Sequence, residues 1–383
     1  MNRAAKVRWA AGLTVLIALI ILPFLLIDGD SSSVIKIGAI LPMTGGAAQY
    51  GEDARRGIDI AIDELNDAGG INGKRVVLEL EDSGTEPRTA ILAFKKLTMS
   101  KDMQVVLTEV SGVVLALAPE ANKKEIILFN VGAQNPKIRE AGPYVFSNIN
   151  DASIESKQVA EFAFEQLDAK NAAVLYSDAA YGEGARSVFS SRFRELGGAI
   201  VAEVSFPEDG LDYRAHVLEI REAKPEVVFL PGLTKDMAKI LKQAYELGYK
   251  PQWLSYTAFE GEDIIRIAGE AAEGVIYSHQ STRLDGATQR AKRFVEAFRD
   301  KYSVDPGIYS ATGYDGIMIA AQAIASTGND GPKLKEYFLT MPPFDGASGP
   351  TSFLANGAVE KPLTFRTVRD GKFVEFSSSR GLP

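Results

Sequence analysis

Residues 34–82, VIKIGAILPMTGGAAQYGEDARRGIDIAIDELNDAGGINGKRVVLELED, read as strand, loop, helix, tight turn and strand, a unit that few folds accommodate. Val34–Leu41 is an apolar run rich in β-branched residues, suited to a parallel strand covered on both faces. Pro42, Gly45 and Gly46 break it into a loop expected to end near Tyr50 and Gly51. From there Ala54, Ile58, Ile62 and Leu65 fall on one helical face, with acids and arginines opposite. Gly69 and Gly70 supply a left-handed stop, and Asn72-Gly73 is a turn dipeptide before the next strand. In such a unit the loop after the first strand lies at its carboxyl end, where open α/β sheets bind ligands. Thr44–Tyr50 is therefore the first place to expect a site.

Strand-like and helix-like segments go on alternating as far as about Gln280. Strands are expected at 75–81, 104–108, 126–130, 172–177, 200–206, 226–231, 252–256 and 274–279. Amphipathic helices are expected at 88–100, 113–124, 183–196, 213–223 and 235–247. This alternation means crossover units on a parallel sheet. A length of 383 residues and an interruption near Asn148–Ser153 favour two sheets over one.

Several function classes are excluded. A formal net charge of -8 without basic tracts argues against nucleic acid as a partner. With no cysteine there is no disulfide, thiolate nucleophile or thiolate metal site. His216 falls in an expected helix and His279 ends an expected strand, with neither a metal spacing nor a paired acid. AGGINGKR fails the phosphate-loop pattern, because Ala68 replaces its first glycine and Arg75 its serine or threonine. YGEGARS lacks the third glycine of a dinucleotide fingerprint, and GxSxG is absent. Glu81-Asp82 is a strand end turning into solvent. No catalytic residue, metal or cofactor is expected.

At the amino end, Arg3, Lys6 and Arg8 precede an uncharged stretch from Trp9 to Ile27, closed by Asp28, Gly29 and Asp30. That charge order keeps the amino terminus in the cytoplasm and sends the rest outside. The apolar stretch is longer than a usual signal core and just long enough to span as a helix. Pro23, Ser31 and Ser33 leave cleavage open, so residues 1–33 are a signal peptide or a signal anchor. With no cysteine for lipid attachment, any tether would be residues 9–27.

The segment GAILPMTGGAAQYGEDARRGIDIAIDELNDAGGINGK resembles the opening of the leucine/isoleucine/valine-type periplasmic binding proteins, the solute receptors of branched-chain amino-acid ABC importers. Three further stretches continue the resemblance in order: 109–136, EVSGVVLALAPEANKKEIILFNVGAQNP; 171–198, NAAVLYSDAAYGEGARSVFSSRFRELGG; and 225–275, from PEVVFLPG to AAEGV. The resemblance implies two Rossmann-like lobes joined by three crossovers near 150, 280 and 348, preceded by one N-terminal hydrophobic helix. Lobe 1 would comprise 34–150 plus 281–348, and lobe 2 would comprise 151–280 plus 349–383.

It also implies a site between the lobes. Ser111 and Gly112 match the serine–glycine loop that contacts the ligand carboxylate, at a helix N-terminus suited to an anion. Ala133 and Gln134 match an alanine carbonyl and a threonine hydroxyl. Tyr50 and Tyr181, one per lobe, match tyrosines that close over the ligand. Asp151 matches an interlobe aspartate that is equally a hinge residue. Thr257 stands where an amino-acid receptor carries the acid for the ammonium, and Leu233 where it carries another tyrosine. A buried ammonium without an anion costs several kcal/mol. Either another acid, such as Glu109, Asp151 or Glu260, reaches the cleft, or the ligand is a carboxylate or amide lacking an ammonium. The expected function is an extracytoplasmic receptor that closes on a small polar ligand and docks on ABC permease subunits served by an ATPase. The alternative is a membrane-tethered sensing module that signals through a separate partner.

Overall fold

The computed structural model describes residues 34–377; the segment 1–33, read as a signal peptide or anchor, lies outside the described residues. No helix among the described residues is long and apolar enough to cross a membrane.

The first sheet comprises β1 (Val34–Leu41), β2 (Arg75–Asp82), β3 (Val105–Thr108), β4 (Ile127–Asn130) and β5 (Val145–Ser147). All its strands are parallel, in the order β2-β1-β3-β4-β5. Helices α1 (Ala48–Asp67), α2 (Pro87–Leu97) and α3 (Ser111–Lys124) connect the first four strands. β3 and β4 are buried throughout, which is why they read as unbroken apolar runs. α1 starts at Ala48, so Tyr50 and Gly51 belong to the helix and not to the expected loop. The turn winds directly into it, with the Ala48 N–H bonded to the Gly45 carbonyl and the Tyr50 N–H to that of Ala47.

The chain then enters a second sheet through α4 (Ala152–Glu161). Its strands are β6 (Asn171–Ser177), β7 (Ala199–Phe206), β8 (Val227–Phe229), β9 (Gln252–Ser255) and β10 (Ile276–Gln280), parallel in the order β10-β9-β8-β6-β7. Helices α5 (Ala180–Glu195), α6 (Arg214–Glu222) and α7 (Thr234–Glu246) alternate with them.

A return to the first lobe adds α8 (Gln289–Tyr302), α9 (Ile308–Thr327), α10 (Gly331–Thr340) and the hairpin β11 (Phe344–Gly346) and β12 (Gly349–Thr351). α9 is buried along most of its length and packs against α1. Gly57 permits this approach, because a Cβ there would lie 1.8 Å from the Ser310 carbonyl oxygen. Phe353 packs edge-on against Phe129 and Phe146 of the first lobe, and Gly357 accepts a hydrogen bond from the Ser147 N–H. Because these first-lobe contacts run on to Gly357, we place the third passage at 360–362, beyond the position near 348 that the resemblance implied. Beyond it β13 (Leu363–Arg369) joins β10 antiparallel and β14 (Lys372–Glu375) closes the second sheet.

The three passages are tied together. Asn150 exchanges backbone–side-chain hydrogen bonds with Lys361 at 2.8 and 2.9 Å, and its N–H donates to Gln280 Oε1 at 2.9 Å. The Lys361 ammonium donates to Ser348 Oγ at 2.9 Å, and that serine is bonded in turn to Asp315.

Candidate functional site

Strand order reverses beside β1 in the first sheet, between β1 and β3, and beside β6 in the second, between β6 and β8. Ligand crevices open at the carboxyl ends of such strands. A cavity of about 340 Å³ lies there, with walls from both lobes. The first lobe contributes Tyr50 after β1, Glu109–Gly112 after β3, Gly132–Gln134 after β4, and Tyr309 at the start of α9. The second contributes Tyr181 after β6, Glu208 after β7, Leu233 after β8 and Tyr256 after β9. Of the residues expected from sequence, Tyr50, Ser111, Gly112, Ala133, Gln134, Tyr181 and Leu233 line this cavity, whereas Asp151 and Thr257 do not. Thr44, at the start of the first loop, instead donates its hydroxyl to Asp82 at 2.6 Å.

The corner at α3 is built from the backbone outward. Val110 holds φ at 69°, which costs a β-branched residue roughly 1–3 kcal/mol and turns the chain sharply between Glu109 and Ser111. Ser111 then begins α3, whose first N–H groups and dipole favour an anion. Its Oγ accepts the Gln134 and Asn135 N–H groups at 3.3 and 3.1 Å, fixing the neighbouring loop. Asn130 holds that loop from below: its amide bonds the N–H of Ala133 at 2.7 Å and the carbonyl of Ala133 at 2.8 Å.

The lobes meet across the cavity through specific bonds. Thr234 Oγ1 donates to the Ala258 carbonyl at 2.8 Å, which leaves the Tyr50 hydroxyl to donate to Thr234 Oγ1 at 2.7 Å. In return the Thr234 N–H donates to the Tyr50 hydroxyl at 2.8 Å. Gln134 Nε2 donates to Glu155 of α4 at 2.8 Å.

The acids separate clearly. Asp151 caps α4, accepting the Ser153 N–H at 2.7 Å, and pairs with Arg139. Glu260 pairs with Arg366 and accepts the Tyr277 hydroxyl at 2.6 Å. Glu155 is buried and receives Thr257 through its N–H at 3.1 Å and its hydroxyl at 2.9 Å; burial pushes its carboxyl up to about 7. Glu109, of the acids weighed from sequence, is the one that reaches the cavity. Burial, reinforced by Asp53, pushes its carboxyl up to about 8. Glu208, part-buried, is raised by burial to about 6.

Sequence reasoning passed over Glu208, Tyr256, Tyr309 and Glu155. Glu208 and Tyr256 stand at the carboxyl ends of β7 and β9, so the rule that located Thr44–Tyr50 applied to them equally. Tyr309 and Glu155 sit within helices and carry no such signal.

The periplasmic binding protein family matches residues 34–372. Leu/Ile/Val-binding protein homolog 1 of Brucella abortus is 25% identical over 336 residues, which cover 87% of this chain and 90% of that protein. The solved leucine binding protein LivK of Thermotoga maritima is 28% identical with a TM-score of 0.84, covering 90% of this chain and 98% of its own. A solute binding protein of an ABC transporter from Rhodopseudomonas palustris, solved with 3,4-dihydroxy benzoic acid, is 25% identical with a TM-score of 0.80, covering 90% of this chain and 97% of its own. These relatives are binding proteins and not enzymes. Two parallel-sheet lobes, a cavity at both reversals of strand order, and a match over nearly all the described residues place this chain in the periplasmic binding protein family.

Proposed function

We propose that this chain is the extracytoplasmic receptor of an ABC importer and closes its two lobes on a small polar solute, an amino acid or a related carboxylate or amide. One observation carries the reading: the cavity is walled from both lobes, which are bonded across it through Tyr50 and Thr234. A solute touching both walls favours the closed form, and this difference in affinity is what shifts the equilibrium. Support for the solute class comes from the α3 corner, suited to a carboxylate, and from relatives solved as a leucine binding protein and with a dihydroxybenzoic acid. The closed form would deliver its load to permease subunits driven by an ATPase, with residues 9–27 as the tether if they stay uncleaved.

The test is a thermal-shift screen of the full-length protein against amino acids, amides, short aliphatic acids and aromatic carboxylates. A solute at ~100 times its dissociation constant adds about 2.7 kcal/mol of stability. Ser111→Ala should weaken the best binder by about tenfold or more, the loss of a charge-assisted hydrogen bond. A panel without a single stabilising solute would count against the reading.

A further inference from the structure

We infer that Glu109 is the anionic partner of a cationic nitrogen on the solute, and that Tyr50, Tyr181, Tyr256 and Tyr309 box that nitrogen in. The inference rests on the receptor reading above and narrows its solute class to amine-bearing molecules.

Glu109 is 2% exposed, lines the cavity, and neither of its carboxylate oxygens has a hydrogen-bond partner among the described residues. A buried carboxyl without a partner costs several kcal/mol whether it ionises or stays protonated. The surroundings make room for it all the same. A Cβ on Gly132 would lie 2.1 Å from Glu109 Oε1, so the glycine is what lets this acid fit. The same site could have been closed by an apolar side chain at no such cost.

The rest of the wall repeats the sign. Glu86 at the rim and Glu208 join Glu109, and no lysine, arginine or histidine lines the cavity among the described residues. An anionic solute carrying only a carboxylate would meet the α3 corner favourably and the remaining wall unfavourably. A cationic nitrogen is matched by the whole of it, and a charge-assisted bond to Glu109 is about twice as strong as one to a neutral amide.

Aromatic faces complete the match. Tyr50 and Tyr309 come from the first lobe, with ring centroids 4.8 Å apart and planes at 68°, which makes a corner. Tyr181 and Tyr256 come from the second lobe. The electron-rich face of a tyrosine attracts a desolvated cation. This placement also explains Thr257. The acid that the resemblance expects there is absent; Thr257 is bonded to Glu155 outside the cavity lining, and the countercharge stands at Glu109.

The experiment is calorimetric titration of the full-length protein with matched pairs that differ in the amine: leucine and 4-methylpentanoate, 5-aminovalerate and valerate, 4-(aminomethyl)benzoate and 4-methylbenzoate. In at least one pair the amine-bearing member should bind about tenfold or more tightly, and Glu109→Gln should abolish that preference. Glu109→Leu guards against a folding artefact. It removes an unpartnered buried acid, so its ligand-free melting temperature should hold or rise while the preference is lost. Equal or tighter binding of the amine-free members, still weakened by Ser111→Ala, overturns the inference and leaves the receptor reading standing. A preference that survives Glu109→Gln also overturns it. If no probe binds, both fall together.

Discussion

Two buried carboxyls near the cavity are handled in opposite ways. Glu155 is held by Gln134, Thr257 and Ser278, whereas Glu109 has no partner among the described residues. Burial raises both from an ordinary 4.5, to about 7 and about 8. The folded state therefore binds more protons than the unfolded one between those limits, and stability falls as pH rises across them. Melting temperatures of the ligand-free protein should decline from pH 5 to pH 8, and Glu109→Gln should flatten the upper part of the decline. An unchanged slope in that variant would mean the carboxyl is not proton-bearing near neutrality. Glu109 was visible in the sequence because an acid directly before a serine loop at a strand end is out of place. Glu155 was not, since it is an ordinary helical glutamate until the fold brings it to Thr257, 102 positions away. Tyr309 was hidden for the same reason.

At the scale of elements, legibility followed burial. Strands covered on both faces announced themselves as apolar runs: 104–108 was expected where Val105–Thr108 forms, and 126–130 where Ile127–Asn130 forms. β5 has only three residues, and β13 and β14 are an antiparallel pair with mixed exposure, so neither gave a run to read. The turn at Asn72-Gly73 was legible through its chemistry, and both residues do have positive φ, 51° and 77°. The tight packing of α1 on α9 was not, because a helical glycine such as Gly57 looks merely unfavourable in isolation. Gly57→Ala should destabilise the protein by about 1–3 kcal/mol, since the backbone of α9 must move to admit a methyl group. Urea unfolding reads this directly; a neutral result would show that the two helices part easily.

For the molecule as a whole, the question is how closure is weighted. Tyr50 both donates to Thr234 and accepts its N–H, so Tyr50→Phe strands a buried donor in the closed form alone. The expected cost is about 1–3 kcal/mol against closure. Small-angle scattering should show a larger radius for the liganded variant at equal occupancy, and affinity should fall by about fivefold or more. A weaker affinity with an unchanged radius would place the tyrosine's role in solute contact alone. We propose as the hinge for this motion a knot of Asn150, Gln280 and Lys361. Crossovers near 150 and 280 were expected from the resemblance, but their tie to Lys361 was not, because its members meet only after three separate passages of the chain. The division of the cavity's tyrosines, two from each lobe, has a kinetic meaning. A solute held by both walls loses one set of contacts when the lobes part, so its departure is coupled to their opening. Residence time then tracks how long the liganded knot takes to open. Substitutions there would alter how long a solute stays while leaving untouched which solute is chosen.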